Sequence, residues 1–409
     1  MRLPARYLWT GWFLWLACLV LPRPALALYE PEKVGAASRR WAINVSSQGY
    51  YDDNINTTAK DQLGGFTSGA TIGLRAEIPA EQTFFRMNSE YGVNYAPGRT
   101  SGEIDQTVVF SGLLSHTFTP RLVADLNATA RYALEPAVSD IISGRSTQLQ
   151  QSGNYFENNT AASISYNLSR RWTMTARGSW DLWRYDSSLN ASNNDRSIYE
   201  GSADLIYSLA PRTFAGVGYR YSVQDYTYPG TNDARNAALQ NVYLTFSHVF
   251  NPRLSANVNA GYESDSFGDG SQSTSPSGSL GLNYNYSRDA VVSLGFRYGF
   301  SATQNGQFGG SQTATFFCSA NYRFTQKLFV TVNGLYANEQ FLNPVPGAFI
   351  PGSPIPSSQD SYQIGLSLRY EFNRWVSTSL NYNYEEVVSQ IAGNSFTRNR
   401  IGLGMNLSY

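Results

Sequence analysis

Histidine and cysteine are scarce in this chain, which has two of each among its 409 residues. A serine hydrolase needs a histidine beside its serine. Here Ser115 and Ser247 directly adjoin His116 and His248, and adjacent residues of a strand point to opposite faces. The sequence also has no Cys/His cluster with zinc spacing and no phosphate-binding glycine motif. We therefore predict that the protein is not an enzyme and has no catalytic, cofactor-binding or metal-binding residues.

Long apolar runs and an excess of charge are lacking as well. The mean hydropathy is −0.33, and 30 basic residues balance 30 acidic ones. Beyond the N-terminus no apolar stretch reaches the roughly 20 residues that a membrane helix needs. This excludes a helical membrane protein, and the balanced charge gives no reason to expect nucleic acid as a partner. Aromatic residues, in contrast, form 14% of the chain, including 28 tyrosines, which is typical of girdles at a membrane interface.

Residues 1–27 have the pattern of a secretory signal peptide. Two arginines precede an apolar run from Leu8 to Leu21, and Ala25 and Ala27 provide the small residues of a cleavage site. We predict an exported protein with a periplasmic lead-in at residues 28–40, followed by one domain at residues 41–409.

The closing segment, Ile401 to Tyr409, alternates between apolar and small or polar residues. Side chains of a strand alternate between its two faces, so the apolar set shares one face. Similar alternation flanks short turns such as Phe250-Asn-Pro-Arg253 and Phe372-Asn-Arg-Trp375, which return about every 40 residues. In an exported chain, this pattern predicts a β-barrel of a bacterial outer membrane.

The segments add up to 18 strands: an opening strand at about Trp41 to Tyr51, eight hairpins, and a closing strand at about Phe396 to Tyr409. One miscounted hairpin would give 16 or 20 strands instead. We predict an all-β, transmembrane, antiparallel up-and-down barrel with short periplasmic turns and long extracellular loops. The predicted loops include Glu135 to Gly153, Ser264 to Ser275 and Phe341 to Gln359.

Charged residues fall on the less apolar face of these strands, which would line the interior of the barrel. Charges in a membrane segment must face water or one another. They are therefore either paired wall charges that keep the lumen wet, or parts of a constriction that filters solutes by charge. Both signs are present, so the sequence predicts no strong selectivity. The predicted pore-lining residues are Arg75, Arg86, Glu90, Asp125, Arg131, Arg177, Asp181, Glu200, Asp204, Arg220, Glu263, Arg297, Arg323, Arg369 and Glu371.

The loop from Glu135 to Gly153 is longer than the roughly 12–15 residues beyond which loops usually have a function of their own. It contains Asp140, Ile141, Ile142 and Arg145, which combine apolar anchors with charges. We expect this loop to fold into the barrel mouth and narrow it, with both isoleucines on the inner wall. The alternative is a surface loop that varies under phage or immune pressure. At the C-terminus, we expect Tyr409 to act in the signal for membrane assembly.

Short motifs resemble a known family. Gly49-Tyr-Tyr-Asp-Asp-Asn-Ile55 is similar to the Tyr-x-Asp-Asn opening of the family described as Putative β-barrel porin 2, and the Asn-Pro-Arg turns and Gly218-Tyr-Arg-Tyr221 also resemble it. The resemblance covers essentially the mature chain. It implies an outer-membrane porin-like protein, with some relatives linked to exopolysaccharide export, and it supplies no catalytic motif.

We expect a passive channel for small hydrophilic solutes, since barrels of roughly 16–18 strands enclose an aqueous channel. The alternatives are an outer-membrane component of exopolysaccharide or other polymer export, or a structural or adhesive surface barrel. Sugar-stacking aromatic residues would point inward, whereas most aromatic residues here have the outward phase. The expected partners are lipid and lipopolysaccharide of a Gram-negative outer membrane, the outer-membrane insertion machinery and small solutes. Polysaccharide is the partner under the export alternative, and nucleic acid is not expected.

Overall fold

The computed structural model describes residues 40–100, 102–135, 138–143, 145, 149–150, 153–228, 233–303, 305–348 and 355–409, without the side chains of Val138 and Asp140. The predicted signal peptide and most of the predicted lead-in lie outside these residues. The strands are β1 (Trp41–Asp52), β2 (Gly65–Pro79), β3 (Thr83–Tyr95), β4 (Ile104–Thr119), β5 (Leu122–Ala133), β6 (Tyr155–Asn167), β7 (Trp172–Tyr185), β8 (Arg196–Ala210), β9 (Thr213–Tyr226), β10 (Ala237–Asn251), β11 (Leu254–Phe267), β12 (Gln272–Ser287), β13 (Ala290–Ser301), β14 (Phe308–Arg323), β15 (Leu328–Pro344), β16 (Ser358–Glu371), β17 (Val376–Ser389) and β18 (Phe396–Ser408). Two short helices, α1 (Val138–Ser143) and α2 (Ser188–Asn194), lie in loops. Neither helix is long and apolar enough to cross a membrane.

The 18 strands form one closed sheet in which each strand pairs antiparallel with its neighbours in sequence. Closure occurs between β1 and β18, from Asn44 opposite Ser408 to Asp52 opposite Arg400. Tyr409 extends this seam, because its backbone exchanges hydrogen bonds with Ile43 at 2.9 and 3.1 Å. A sheet without edges satisfies its backbone polar groups within itself, as lipid requires. The predicted all-β up-and-down barrel and its strand number are confirmed.

Short turns join the strands at the end of the barrel where the chain enters β1 and leaves β18. At two of them an asparagine side chain holds the turn. The Asn251 side chain accepts the N–H groups of Arg253 and Leu254 at 2.8 and 3.0 Å. Asn373 accepts those of Trp375 and Val376 at the same two distances. These polar residues close the hairpins locally, which explains why the turn motif recurs.

Alternation along the strands separates an apolar outer face from a polar inner face. On β18 the side chains of Ile401, Leu403, Met405 and Leu407 are exposed on the outside. Gly402 and Gly404, which lie between these residues, have no side chain to present to the lumen. Arg398 and Arg400 precede them at alternate positions of the strand and therefore also face inward. An apolar outer face is the surface that lipid tails solvate.

The predicted loop from Ser264 to Ser275 is wrong. Strand β11 continues to Phe267, β12 begins at Gln272, and only four residues connect them. Gly270 adopts a positive φ of 87°, and the Asp269 side chain accepts the Ser271 N–H at 2.9 Å, which together make a tight turn. The polar residues of this segment therefore belong to the ends of two paired strands and not to a loop.

Candidate functional site: the barrel lumen and its extracellular loops

One continuous row of register partners crosses the inner wall from β5 to β11. It contains Asp125, Ser163, Arg177, Ser202, Arg220, Asn241 and Glu263. Partners in a ladder share a face of the sheet, so these side chains all project into the lumen. The row forms a polar belt with an acidic residue at each end and two arginines between them.

Ion pairs connect this row with the rows above and below it. Arg177 lies 3.5 Å from Asp204, and Arg220 lies 3.5 Å from Glu200. The Tyr243 hydroxyl donates to Asp204 at 2.7 Å, which holds that carboxylate against the wall. The Arg177 side chain is 59% exposed, so its guanidinium remains available to solutes while it pairs.

Charges at the periplasmic end of the lumen also form small groups. Glu77 accepts hydrogen bonds from both Arg75 and Arg86, the latter at 2.8 Å. Arg369 lies 3.0 Å from Glu371 and over the ring of Phe329.

The inner face also carries the other predicted pore-lining residues, namely Glu90, Arg131, Asp181, Arg297 and Arg323, each opposite another residue of the same phase. A role of any of these charges in solute passage stays a prediction.

A cavity of about 670 Å³ opens against the wall formed by β5 to β11 and β13. Serine, asparagine and alanine side chains make up much of its lining, and Arg145 and Ser143 reach it from the β5–β6 loop. The charged lining residues are four arginines and four carboxylates: Arg145, Arg177, Arg220, Arg297, Asp125, Asp181, Glu200 and Glu263. The charges that line the cavity are therefore close to electrically balanced.

The β5–β6 loop crosses the lumen. Helix α1 packs against β14, nearly opposite β5 in the barrel. Ile141 is 1% exposed and lies in a cluster with Leu149 of the same loop and with Leu335, Ala337, Val387 and Phe396 of the far wall. Ile142 packs against this cluster. Both predicted anchors thus lie against the inner wall, and the narrowing of the pore stays a prediction.

Arg145 returns the loop to the near wall. Its guanidinium lies 3.1 Å from Asp181 and 3.5 Å from Glu157. The fully buried Arg196 donates to the Arg145 carbonyl at 3.0 Å and lies over the ring of Trp183. The side chain of Asp140, the remaining predicted loop residue, lies outside the described residues. The loop is therefore anchored by apolar contacts on one side of the lumen and by charge on the other.

A buried ionic cluster fixes the start of this loop. Arg398 donates to both carboxylate oxygens of Glu135 at 3.1 and 3.2 Å, and to Asp52 at 2.6 Å. Arg400 contacts Glu385 at 2.7 Å. Burial opposes ionisation of Glu135, but Arg398 and Arg400 hold its pKa at about 2. Residues of β1, β17 and β18 are thereby tied to the loop that follows β5.

Sequence reasoning missed this cluster, although one signal for part of it was present. Arg398 and Arg400 share the phase of Gly402 and Gly404, the small residues on the inner side of the closing strand. Extending that phase toward the extracellular end brings both arginines inward. Their partner Glu135 is 263 residues away from Arg398, and no local pattern connects the two.

A second cavity, of about 360 Å³, lies near the extracellular ends of the strands. Eight amide side chains and the ring of Phe341 contribute to its lining. The amides are Gln150, Asn190, Asn193, Asn194, Asn305, Gln307, Gln359 and Asn394. Amides both donate and accept hydrogen bonds, so this surface suits an uncharged polar ligand.

The two histidines lie on the outer phase near the periplasmic turns. His116 and His248 share hydrogen bonds with Thr83 and Thr213 at 2.7 and 2.8 Å. Within the described residues, no group of three or more His, Cys, Asp or Glu side chains is arranged to hold a metal ion.

At the barrel seam, the ring of Tyr409 stacks on Trp375 with centroids 5.2 Å apart. Its role in assembly stays a prediction.

Residues 300–409 match the family model described as Putative beta-barrel porin 2, which confirms the resemblance over that part of the chain. A closed barrel with an apolar outer face, together with this match, places the protein in the outer membrane of a Gram-negative bacterium. The protein is a porin-like outer-membrane barrel.

Solved structures of outer-membrane proteins resemble the fold at low sequence identity. OccK2 (OpdF) of Pseudomonas aeruginosa in complex with glucuronate is 10% identical with a TM-score of 0.48, over 90% of this chain and 98% of that one. OccAB3 of Acinetobacter baumannii is 11% identical with a TM-score of 0.45, over 90% and 99%. The siderophore receptor PirA of Pseudomonas aeruginosa is 12% identical with a TM-score of 0.43, over 91% and 80%. No curated protein matches the sequence.

Proposed function

We propose that the protein is a passive channel for small hydrophilic solutes. The cavity of about 670 Å³ carries the proposal, because its lining combines charges of both signs with hydroxyl and amide groups. Buried charges are costly unless they are hydrated or paired, so such a lining favours a water-filled lumen. A barrel of 18 strands also has the width for an aqueous channel.

Weak charge selectivity follows from the composition of this lining. Arg177 and Arg220 each lie beside a carboxylate, so neither presents an isolated positive charge. Selectivity in pores depends on rings of charge of one sign. We expect comparable permeability to potassium and chloride, and passage limited mainly by solute size.

Planar-bilayer recordings and liposome swelling test this proposal. The purified protein is expected to conduct, to give a reversal potential near zero in a salt gradient, and to let small sugars enter liposomes faster than large ones. Replacing Arg177 and Arg220 by glutamine leaves Asp204 and Glu200 unpaired and is expected to shift the channel toward cations. The matched control is Arg253→Gln, which removes an exposed turn arginine outside the lumen.

Two results would contradict the proposal. One is the absence of conductance from correctly folded protein. The other is an equal reversal potential for the double variant and the Arg253→Gln control, which would show that Arg177 and Arg220 do not line the conduction path.

Capture of neutral saccharides is a second candidate, favoured by the amide-lined outer cavity. Sugar hydroxyls need neighbouring donors and acceptors, which amides supply, and Phe341 offers an aromatic face. Gln359→Ala with Asn394→Ala is expected to weaken oligosaccharide binding measured by calorimetry, without changing potassium chloride conductance. Equal binding by the variant and the parent would exclude this cavity as the capture site.

The remaining proposed partners belong to the membrane. The aromatic and aliphatic outer face is expected to contact lipid and lipopolysaccharide, and the closing strand with Tyr409 to contact the insertion machinery. Both are expected to be detected by site-specific photo-crosslinking from outward positions such as Leu403, which is 64% exposed. Gly404, on the inward phase, provides the control position.

A further inference from the structure

A small pocket opens in the inner wall beside the larger cavity. It has a volume of about 60 Å³, and its lining comes from β9 to β13. It shares Arg220, Asn241, Glu263 and Arg297 with the cavity of about 670 Å³, so the two spaces adjoin. A cavity that holds one water molecule needs roughly 10–15 Å³. The small pocket therefore has room for a polar group of a few heavy atoms and is too small for a sugar ring.

Two arginines line this pocket with unused hydrogen-bond donors. Within the described residues, the guanidinium of Arg297 makes no hydrogen bond and no ion pair. Arg220 approaches Glu200 only to 3.5 Å, and its Nε atom has no hydrogen-bond partner there. A guanidinium presents five N–H donors in a planar fork that matches the two oxygens of a carboxylate. Donors suited to a carboxylate therefore face the pocket from two strands.

Two serine hydroxyls add further donors. Ser277 accepts a hydrogen bond from the Asn241 amide at 2.7 Å, and Ser279 accepts one from the Asn259 amide at 3.0 Å. Each hydroxyl keeps its own proton, for which the described part of the chain provides no acceptor. Both residues line the small pocket, so these hydroxyls are free to donate to a ligand that enters it.

Glu263 also lines the small pocket, but its carboxylate is already hydrogen-bonded. Its two oxygens accept the Phe300 N–H at 2.9 Å and the Asn241 amide at 3.1 Å. Glu200, the neighbour of Arg220, lines the larger cavity and not this pocket. The charged lining of the small pocket thus consists of two arginines and one carboxylate, and its net positive charge favours an anion.

We propose that the small pocket binds the carboxylate group of small organic acids. Arg297 donates to both carboxylate oxygens, Arg220 and the hydroxyls of Ser277 and Ser279 complete the donor set, and the rest of the acid stays in the larger cavity. The site deepens the proposed channel function and rests on it, because it names a class of solute that the lumen retains. Weak overall charge selectivity is unaffected, since the remaining lumen charges are balanced.

Fluorine NMR of the purified, folded protein measures binding without any requirement for conduction. The probe is trifluoroacetate, and trifluoroacetamide is the matched neutral molecule of the same shape. We expect the trifluoroacetate signal to shift and broaden in a saturable manner and the trifluoroacetamide signal to stay unchanged. Sodium acetate is expected to displace the probe more effectively than sodium chloride at the same concentration.

Substitutions of Arg297 test the proposed contact. Arg297→Gln removes the guanidinium and is expected to weaken trifluoroacetate binding at least about tenfold, because charge-assisted hydrogen bonds are among the strong ones. Arg297→Lys keeps the charge without the planar fork, so it is expected to bind with intermediate affinity. Arg323→Gln is the matched control, since it removes another inward arginine, one that donates to the Gln326 carbonyl at 3.1 Å near a periplasmic turn.

Gly299→Val tests the pocket without removing a charge. A Cβ at Gly299 would lie 3.8 Å from the Ser277 Cβ and 3.9 Å from Glu263 Oε2, which are ordinary contacts. A side chain at this position therefore occupies the small pocket and leaves both arginines in place. It is expected to weaken trifluoroacetate binding as Arg297→Gln does. Heat-modifiable migration on gels verifies that each variant is folded.

Parent-like binding by folded Arg297→Gln, or equally weakened binding by Arg323→Gln, would overturn the site. Parent-like binding by Gly299→Val would exclude the small pocket as its location. Equal displacement by acetate and chloride would overturn the recognition of carboxylates. If the parent binds trifluoroacetate but does not conduct in bilayers, the proposed channel function fails and the binding site stands. Conductance without saturable binding overturns the binding site alone.

Discussion

Arginine substitutions at neighbouring positions of β16 test the assignment of its two faces. Leu366 faces outward between Tyr362 and Tyr370, four residues from each on the same face of the strand. Four residues span about 13 Å of strand, or about 10 Å along the membrane normal at a tilt of about 40°. Leu366 therefore lies near the lipid midplane, where an outward arginine costs about 2–4 kcal/mol.

Ser367 faces the lumen, where its hydroxyl donates to Asn381 at 2.7 Å. Ser367→Arg removes this hydrogen bond, which contributes about 0.5–1.5 kcal/mol, and places the new charge in water. We expect Leu366→Arg to lower the free energy of unfolding by the larger amount. The measurement is reversible urea unfolding in phospholipid vesicles, followed by tryptophan fluorescence.

Leu366→Ala and Ser367→Ala provide the matched controls, because they remove the same side chains without adding charge. If Ser367→Arg destabilises the barrel as much as Leu366→Arg does, relative to these controls, then the assignment of the inner and outer faces is refuted.

One deletion and two substitutions test the seam and the loop. Deleting Leu407 to Tyr409 removes the backbone bonds to Ile43 and is expected to abolish folded barrel in the outer membrane; normal heat-modifiable protein there would contradict this. Ile141→Ala leaves a cavity in the anchoring cluster and is expected to weaken docking of the loop by about 2–4 kcal/mol. Faster proteolysis within residues 138–150 of an otherwise intact barrel is the readout, and unchanged cleavage would contradict the anchoring role. The pKa of Glu135 is lowered to about 2 from an ordinary value of about 4.3, so its ionic stabilisation is complete above about pH 4.3 and is lost as the pH falls through 2. Current noise is expected to stay low from pH 7 to 4.5 and to rise toward pH 2, whereas Glu135→Gln is expected to be noisy throughout; equal noise in both proteins would exclude the contact.

The barrel itself was predictable because its signals are local. Period-two alternation gives the phase of each strand without knowledge of its partners, as for Leu366 and Ser367. The short turns are also local, since Asn251 and Asn373 hold their own hairpins. Once the faces are assigned, strand count and closure follow from the physical cost of an unpaired edge in lipid.

The extracellular half was not predictable to the same degree, because its contacts join distant segments. Ile141 was recognised as an apolar anchor in a long loop, but its partners on β15, β17 and β18 depend on closure of the barrel. Phe300 has the strand phase of the exposed Phe296, yet it is buried against Ala237 and Phe267 of the inner wall, so alternation alone would place it outside. The segment from Ser264 to Ser275 shows that polarity does not distinguish a loop from a polar strand.

We propose that the lumen is a solute path narrowed by the loop between β5 and β6. The most direct test of this proposal is the single-channel conductance of a protein in which residues 138–150 are replaced by a Gly-Ser linker, compared with the unaltered protein. We predict a higher conductance with preserved heat-modifiable migration on gels. Equal conductance of the two proteins would show that the loop does not narrow the path, and absence of conductance from both folded proteins would contradict the channel itself.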